Sequence, residues 1–355
     1  MKCYLVGGAI RDRLLNLSFS EKDFVVIGET ETSMLEKGFI SVGKKFPVFL
    51  HPKTKEEYAL ARKEKKIAIG HQGFSFETDD TVTLEEDLSR RDLTINAIAE
   101  DEKGNLIDPF NGQKDLKDKI LRHVSLAFSE DPLRIFRVAR FATKFFALNF
   151  EVDKSTIALM KSIPKKEIEN LSFERIWQET EKVLKMKNSH IFFEILNNVN
   201  ALFVFPEIDK NFSKSVNSLK KINEESKEEE KWAALNLDSK TLDDFPIPRR
   251  FLRFEKYSRD FKETLALDIS KKVLLEALMK INAFRDKKLA LQIIIFLQNN
   301  NKLNSALISL NLDWDALLSE LNSVTINKGF SENGELIKKE IYNTRLNILG
   351  NYLNE

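Results

Sequence analysis

Glu21 and Asp23 are two residues apart on a segment, Lys22 to Ile27, that reads as a strand. At strand period both carboxylates point to one face, and Val25 and Ile27 continue that face. Paired acids at the end of a strand form an oxygen-donor site suited to a hard divalent cation, Mg²⁺. Just upstream, Leu5-Val6-Gly7-Gly8-Ala9-Ile10-Arg11-Asp12 passes from a short strand, Cys3 to Val6, into a helix predicted over Ala9 to Leu17, with Ile10, Leu14, Leu15 and Leu17 on one side. The two glycines allow a tight turn and close approach of a ligand. A glycine turn at a helix N-terminus offers free N–H groups to phosphate. Two cations on such acids activate an attacking hydroxyl and stabilise a leaving oxygen. Together the pieces suit metal-assisted chemistry on a nucleoside triphosphate. Alone, the glycines read as a turn and the acids as a solvated strand end.

Three more stretches follow in order: Arg90-Arg91-Asp92-Leu93-Thr94-Ile95-Asn96-Ala97, Asp108-Pro109-Phe110-Asn111-Gly112 and Glu130-Asp131-Pro132-Leu133-Arg134. Thr83-Leu84-Glu85-Glu86 is a capping-box pattern that opens a helix leading to the double arginine. Leu93 to Ala99 reads as a second, buried helical run that holds the triplet at a fixed edge. The Asp108 stretch reads as a tight turn that fixes the next helix. Asp131 is placed as N-cap and Pro132 as N1 of a helix whose buried stripe is Ile135, Val138, Ala139 and Ala142. Asp131, Arg134, Arg137 and Arg140 recur every third residue, a polar stripe opposite that core. Its plain reading is a salt-bridged surface; beside a triphosphate it would read base and phosphate.

This ordered series resembles the bacterial, class II CCA-adding tRNA nucleotidyltransferases. The resemblance covers roughly the first two fifths of the chain and continues more weakly through Glu174-Arg175-Ile176-Trp177 and Phe205-Pro206-Glu207. It implies an α+β fold: a polymerase-β-like nucleotidyltransferase head (residues 1–125) with a small mixed sheet, then an all-α neck (126–205), and a helical body and tail (206–355) that grip the acceptor end and TΨC arm of tRNA. It implies catalysis by Glu21 and Asp23 holding Mg²⁺, with CTP and ATP as donors. The nucleotide would meet Gly8, Arg11, Arg91, Asp92, Asp131, Arg134, Arg137 and Arg140. Arg91 would contact the incoming nucleotide and Asp92 its ribose; sequence leaves a plain helix cap open for Asp92. Asp131 and Arg134 are implied to read the base. The family usually has Asp at both metal positions; here the first is Glu21, one methylene longer. A loop over residues 62–73, without clean period, would be the element that switches addition from C to A.

The resemblance leaves two other enzymes open, a bacterial poly(A) polymerase and a CC-adding enzyme. The first usually carries a basic tail, whereas this chain ends in Tyr352-Leu353-Asn354-Glu355; the second is disfavoured by the loop. A non-catalytic tRNA-binding protein would be expected to lose the acids. Some relatives add an HD phosphohydrolase domain, which needs His-Asp pairs; none of His51, His71, His123 and His190 is followed by Asp, so no phosphatase activity is expected.

Composition sets wider limits. At 355 residues the chain is long enough for two or more packed units. A net charge of +1 gives no global nucleic-acid signature, so any RNA surface must be a local patch. Cys3 is the one cysteine, which excludes an internal disulfide. No signal-peptide core or membrane span is apparent, and cytoplasm is the expected location, with no membrane or obligate protein partner. Short strands are predicted over Phe39 to Val42, Pro47 to His51 and Glu57 to Ala61, and only helices from Glu151 onward. The charge run Glu224 to Lys231 reads as an exposed helix face or linker, and Pro246-Ile247-Pro248-Arg249-Arg250 as a domain junction.

Overall fold

The computed structural model describes residues 1–19, 21–42, 48–61, 63–66, 74–77, 81–236, 247–266, 268–325 and 334–353. The chain divides into two compact units, Met1–Asp209 and Lys210–Glu355.

The first unit is built on a mixed seven-stranded sheet in the order β3-β4-β5-β2-β1-β8-β9. Its strands are β1 (Lys2–Val6), β2 (Asp23–Ile27), β3 (Ile40–Ser41), β4 (Val48–Leu50), β5 (Glu57–Leu60), β8 (Ala99–Glu100) and β9 (Leu106–Ile107). Only β2 and β5 pair in parallel. In the β1–β2 register Val6 lies opposite Asp23, so the sheet sets the acid beside the residue that enters the glycine turn. Strand alternation then divides the core in two. Val6, Val25 and Ala61 pack on one face with Leu88, Ala97 and Ala99; Val26 and Leu60 pack on the other with Met34, Phe39 and Phe49.

The head helices are α1 (Gly8–Leu14), α2 (Glu31–Glu36), α3 (Leu84–Ser89) and α4 (Gly112–Asp118). The capping box at α3 is present: the Thr83 hydroxyl accepts from the Glu86 N–H, and Glu86 Oε2 from the Thr83 N–H. Asp108 caps α4 by accepting from the N–H groups of Gly112 and Gln113, at 2.7 and 2.9 Å. Beyond the head come α5 (Leu133–Phe145), α6 (Lys154–Ser162), α7 (Lys165–Glu169), α8 (Phe173–Leu184) and α9 (His190–Asn198). Ile135, Val138, Ala139 and Ala142 on α5 are buried, and Phe136, Phe192, Phe193 and Phe205 form a chain of ring contacts there.

Several expectations need correction. The first helix stops at Leu14, which is 39% exposed, because Asn16 takes a left-handed conformation (φ 55°) and reverses the chain. Leu93 to Ala99 is buried but is not a helix: a 3₁₀ turn, Thr94–Asn96, is followed after Ala97 and Ile98 by β8. Its apolar run carries no period that separates the two. Part of the expected loop is a strand. Lys63–Lys66 (β6) pairs antiparallel with Phe74–Glu77 (β7) in a two-stranded ribbon; a run of charged residues gives no apolar alternation to reveal it. Residues 62 and 67–73 of that loop lie outside the described residues. Past Glu151 one short strand does occur, β11 (Glu151–Val152), which pairs in parallel with β10 (Ile120–Leu121).

The second unit is helical throughout its described residues, with helices Phe212–Lys221, Glu228–Asn236, Arg249–Thr264, Lys271–Lys280, Lys287–Asn299, Ser305–Ser309, Trp314–Ser323 and Gly334–Leu353. Trp232, Phe251, Phe254, Phe261 and Leu297 are buried in it. The charge run Glu224 to Lys231 is not wholly exposed, since Lys231 is buried. The expected junction falls inside this unit, with Pro248 capping Arg249–Thr264 and Pro246 outside the described residues. No described helix is long and apolar enough to cross a membrane.

Candidate active site

Gly7 has φ 74°, the left-handed region open to glycine. A side chain there would also meet Arg91, whose Nη1 lies 3.0 Å from where a Cβ would stand. Gly7 N–H donates to the Ile98 carbonyl at 3.3 Å, which pins the turn to the buried segment before β8. The acids sit next to this turn, Asp23 at the start of β2 and Glu21 just before it, both exposed.

Gly8, Arg11, Glu21, Asp23, Arg91, Asp92, Asp131, Arg134, Arg137 and Arg140 all line one cavity of about 710 Å³. It lies within the first unit. Eight cationic side chains face five carboxylates there, an excess of three positive charges that the whole-chain balance conceals. That excess suits a polyanionic ligand.

The arginines are held by a set of ion pairs. Asp92 is buried; one oxygen accepts from Leu93 N–H and Asn96 Nδ2, at 2.9 and 2.8 Å, and the other from Arg137 Nε at 2.7 Å. Burial pushes the Asp92 carboxyl up, but the Arg137 charge and the Asn96 hydrogen bond outweigh it and hold it far below the ordinary carboxylate range. Arg140 pairs with Glu179 on α8. Arg91 reaches Asp87 at 3.3 Å and the Asn96 carbonyl at 3.4 Å.

Asp131 is extended (φ −117°, ψ 101°) and accepts from Leu133 N–H at 3.1 Å, so it caps α5 as expected, with the helix assigned from Leu133. It also pairs with Arg175 of α8, at 2.9 Å. Arg134 departs from the expectation of a stripe opposite the core. It is 8% exposed and donates to the carbonyls of Ala127 and Arg90, the latter at 2.6 Å. The stripe lines the cavity, where Arg134 is buried while the Arg137 and Asp131 side chains stay 36% and 26% exposed. Spacing alone did not single out Arg175, Glu179 or Lys182; Arg175 and Glu179 are one helical turn apart on α8, the one signal that was available.

Neither Glu21 nor Asp23 has a hydrogen bond or ion pair among the described residues. By contrast Asp12, also nearby, is taken by Arg11 at 2.8 Å and Lys144 at 2.9 Å. Partial desolvation raises the Asp23 pKa; Arg91 opposes the shift and Glu21 adds to it. Two adjacent, unneutralised carboxylates that resist shared ionisation fit a divalent cation. No cluster of three or more His, Cys, Asp or Glu able to hold a metal occurs among the described residues, so the fit rests on this pair.

Residues 3–122 match the family described as the poly A polymerase head domain, and residues 149–212 the probable RNA- and SrmB-binding site of polymerase A. These are two separate matches, each over less than half of the chain.

Among curated relatives, a CCA-adding enzyme from Alteromonas mediterranea is 55% identical over 222 residues, 62% of this chain and 56% of its own length. A multifunctional CCA protein from Acinetobacter baylyi is 56% identical over 214 residues, 60% of this chain and 52% of its own. The chain thus spans about half the length of the curated relatives it matches. Among solved structures, a CCA-adding enzyme in an apo form matches with TM-score 0.72 at 21% identity, covering 98% of this chain and 88% of that one. The Thermotoga maritima CCA-adding enzyme complexed with tRNA-CCA matches with TM-score 0.67 at 21% identity, covering 99% and 91%. At that identity these two carry the fold.

Proposed function

We propose that this chain extends the 3′ end of tRNA with C, C and A from CTP and ATP, without a nucleic-acid template, in the cytoplasm. The observation that carries the reading is the single cavity in which the glycine turn, the acid pair and the arginines of α5 converge. The names of the relatives, CCA-adding enzymes at 55–58% identity, support it. In this reading residues 1–125 form the catalytic head, 126–205 the nucleotide-binding neck and 206–355 the tRNA-binding body and tail.

Glu21 and Asp23 would hold Mg²⁺, which supplies charge neutralisation for the attacking 3′ oxygen and the departing pyrophosphate. The rest falls to the chain's own groups. Gly8 and Arg11 receive phosphate oxygens at the glycine turn. Arg91 contacts the nucleotide, and Asp92, fixed by Asn96 and Arg137, lies near the ribose. Arg137 and Arg140 complete nucleotide binding. Asp131 and Arg134 choose the base. C and A both offer an exocyclic amino donor next to a ring-nitrogen acceptor, which a carboxylate and a guanidinium match. U and G place a carbonyl and a ring N–H there, so acceptor meets acceptor and donor meets donor. Because Asp131 is paired with Arg175 and Arg134 with backbone carbonyls, both must exchange partners on nucleotide binding.

The test is incorporation of labelled CTP and ATP into tRNA that lacks its 3′ CCA. Wild type is expected to incorporate both, and Glu21→Gln and Asp23→Asn to lose at least about a thousandfold. Full activity in either variant removes these acids from the mechanism. The match to a poly A polymerase head favours a second reading, poly(A) synthesis, for which labelled ATP alone would suffice.

A further inference from the structure

We propose that Lys144, through Asp12, is a positioning residue that holds the Arg11 guanidinium against the Gly7–Gly8 turn. The proposal rests on the nucleotide-binding reading above and adds a residue to it.

Arg11 is constrained on every side but one. Its Nε donates to Asp12 at 2.8 Å and its Nη1 to the Asn96 side chain. Its plane lies by Phe141 and Phe145, with Cζ 5.0 and 5.3 Å from their ring centroids. The remaining Nη2 has no acceptor among the described residues and stands 3.5 Å from where a Cβ on Gly8 would be. The one unsatisfied edge of this cation therefore faces the glycine turn.

Asp12 is the anchor of that arrangement, and it is shared. Its second oxygen accepts from Lys144 Nζ at 2.9 Å. Burial raises the Asp12 pKa, but the hydrogen bonds from Arg11 and then Lys144 outweigh it and keep the carboxyl below its ordinary value. Lys144 lies on α5, the helix that carries Phe141 and Phe145, so one helix supplies both the rings beside Arg11 and the cation behind it. Lys144 continues on to Arg137 through a run of contacts: Lys144–Asp12–Arg11–Asn96–Asp92–Arg137.

Lys144 also lines a second cavity, of about 410 Å³, with Gly8, Arg11, Asp12, Glu21 and Asp23. Two cations there face three carboxylates. Without Lys144 one cation would face three, and the Asp12 charge would fall on Arg11 alone. An anionic ligand at the turn would then meet a more negative site, and a guanidinium more fully neutralised by Asp12 and anchored on a carboxylate fixed from one side only. Phosphates are common to every nucleoside triphosphate, so the effect must not depend on the base.

Titration calorimetry on the full chain, with CTP and ATP separately in metal-free buffer at low salt, tests this. Lys144→Met is expected to weaken both nucleotides by the same factor, about tenfold, or about 1.4 kcal/mol. Lys144→Arg, which keeps the charge, is expected to restore most of the affinity. Lys144→Gln gives the same readout as Lys144→Met should the methionine variant fail to fold. Unchanged affinity, loss for one nucleotide alone, or a loss that arginine does not restore would each overturn the proposal. Wild type binding neither nucleotide overturns the functional reading itself and this proposal with it; wild type binding both while Lys144→Met matches it overturns only the latter.

Discussion

In the proposed reading Asp23 has opposite effects on folding and on chemistry. Its folded-state pKa is raised above 3.8 by desolvation and by Glu21, with Arg91 opposing. For a carboxyl raised in the fold, stability is full below the ordinary value and falls as pH rises through the raised one. Asp23→Asn should therefore raise the thermal midpoint in metal-free buffer at neutral pH, with the gain disappearing in acid below 3.8. Added divalent cation should raise the midpoint of wild type and not of the variant. A variant less stable than wild type at neutral pH would contradict this account. Asp131 separates two roles by a different readout. As a cap its loss costs about 1 kcal/mol and leaves nucleotide choice alone; as a base reader its loss admits U or G. Asp131→Ala is expected to raise misincorporation, measured with each nucleotide in turn. The types of these residues were legible in the sequence, because acids at strand period and arginines at helical spacing have few meanings in such an order. Their partners were not: Arg175, Glu179 and Lys144 reach the site from other turns and helices, and no local pattern reports a contact between elements.

At the scale of elements, caps and the buried stripe of α5 were read correctly, and the uniformly buried Leu93 to Ala99 and the uniformly charged β6 were misread. Thr83 and Asp108 announced their helices because a cap is written in adjacent residues. Leu93 to Ala99 did not announce its 3₁₀ turn, since full burial removes the polar contrast on which periodicity depends. β6 was hidden for the opposite reason, having no apolar residues to alternate. Gly112 shows how tightly the head closes on this segment. A Cβ there would stand 2.3 Å from the Thr94 carbonyl oxygen and 2.8 Å from Ile98 Cγ1. Gly112→Ala is expected to destabilise by at least about 1–3 kcal/mol, the usual cost of overpacking. Gly334→Ala, with nothing within 4 Å of its Cβ, should change stability by less than about 0.5 kcal/mol. Denaturant midpoints of the two variants check the contrast, and equal midpoints would mean that α4 shifts to make room.

For the whole molecule, bulk properties said least. A net charge of +1 conceals a cavity with three more cations than carboxylates, because acids elsewhere balance it. The head is the better-defined half of the sequence, with its motifs in one ordered series. The second unit offered only helical spacing, which specifies a core and not a partner. The reading of the whole chain therefore depends on what it makes. Sequencing the 3′ ends of tRNA lacking CCA, after incubation with all four nucleotides and Mg²⁺, reads that product directly. The account predicts ends that stop at C, C and A, with U and G absent. Runs of A, ends that stop after two Cs, or untouched tRNA would contradict it.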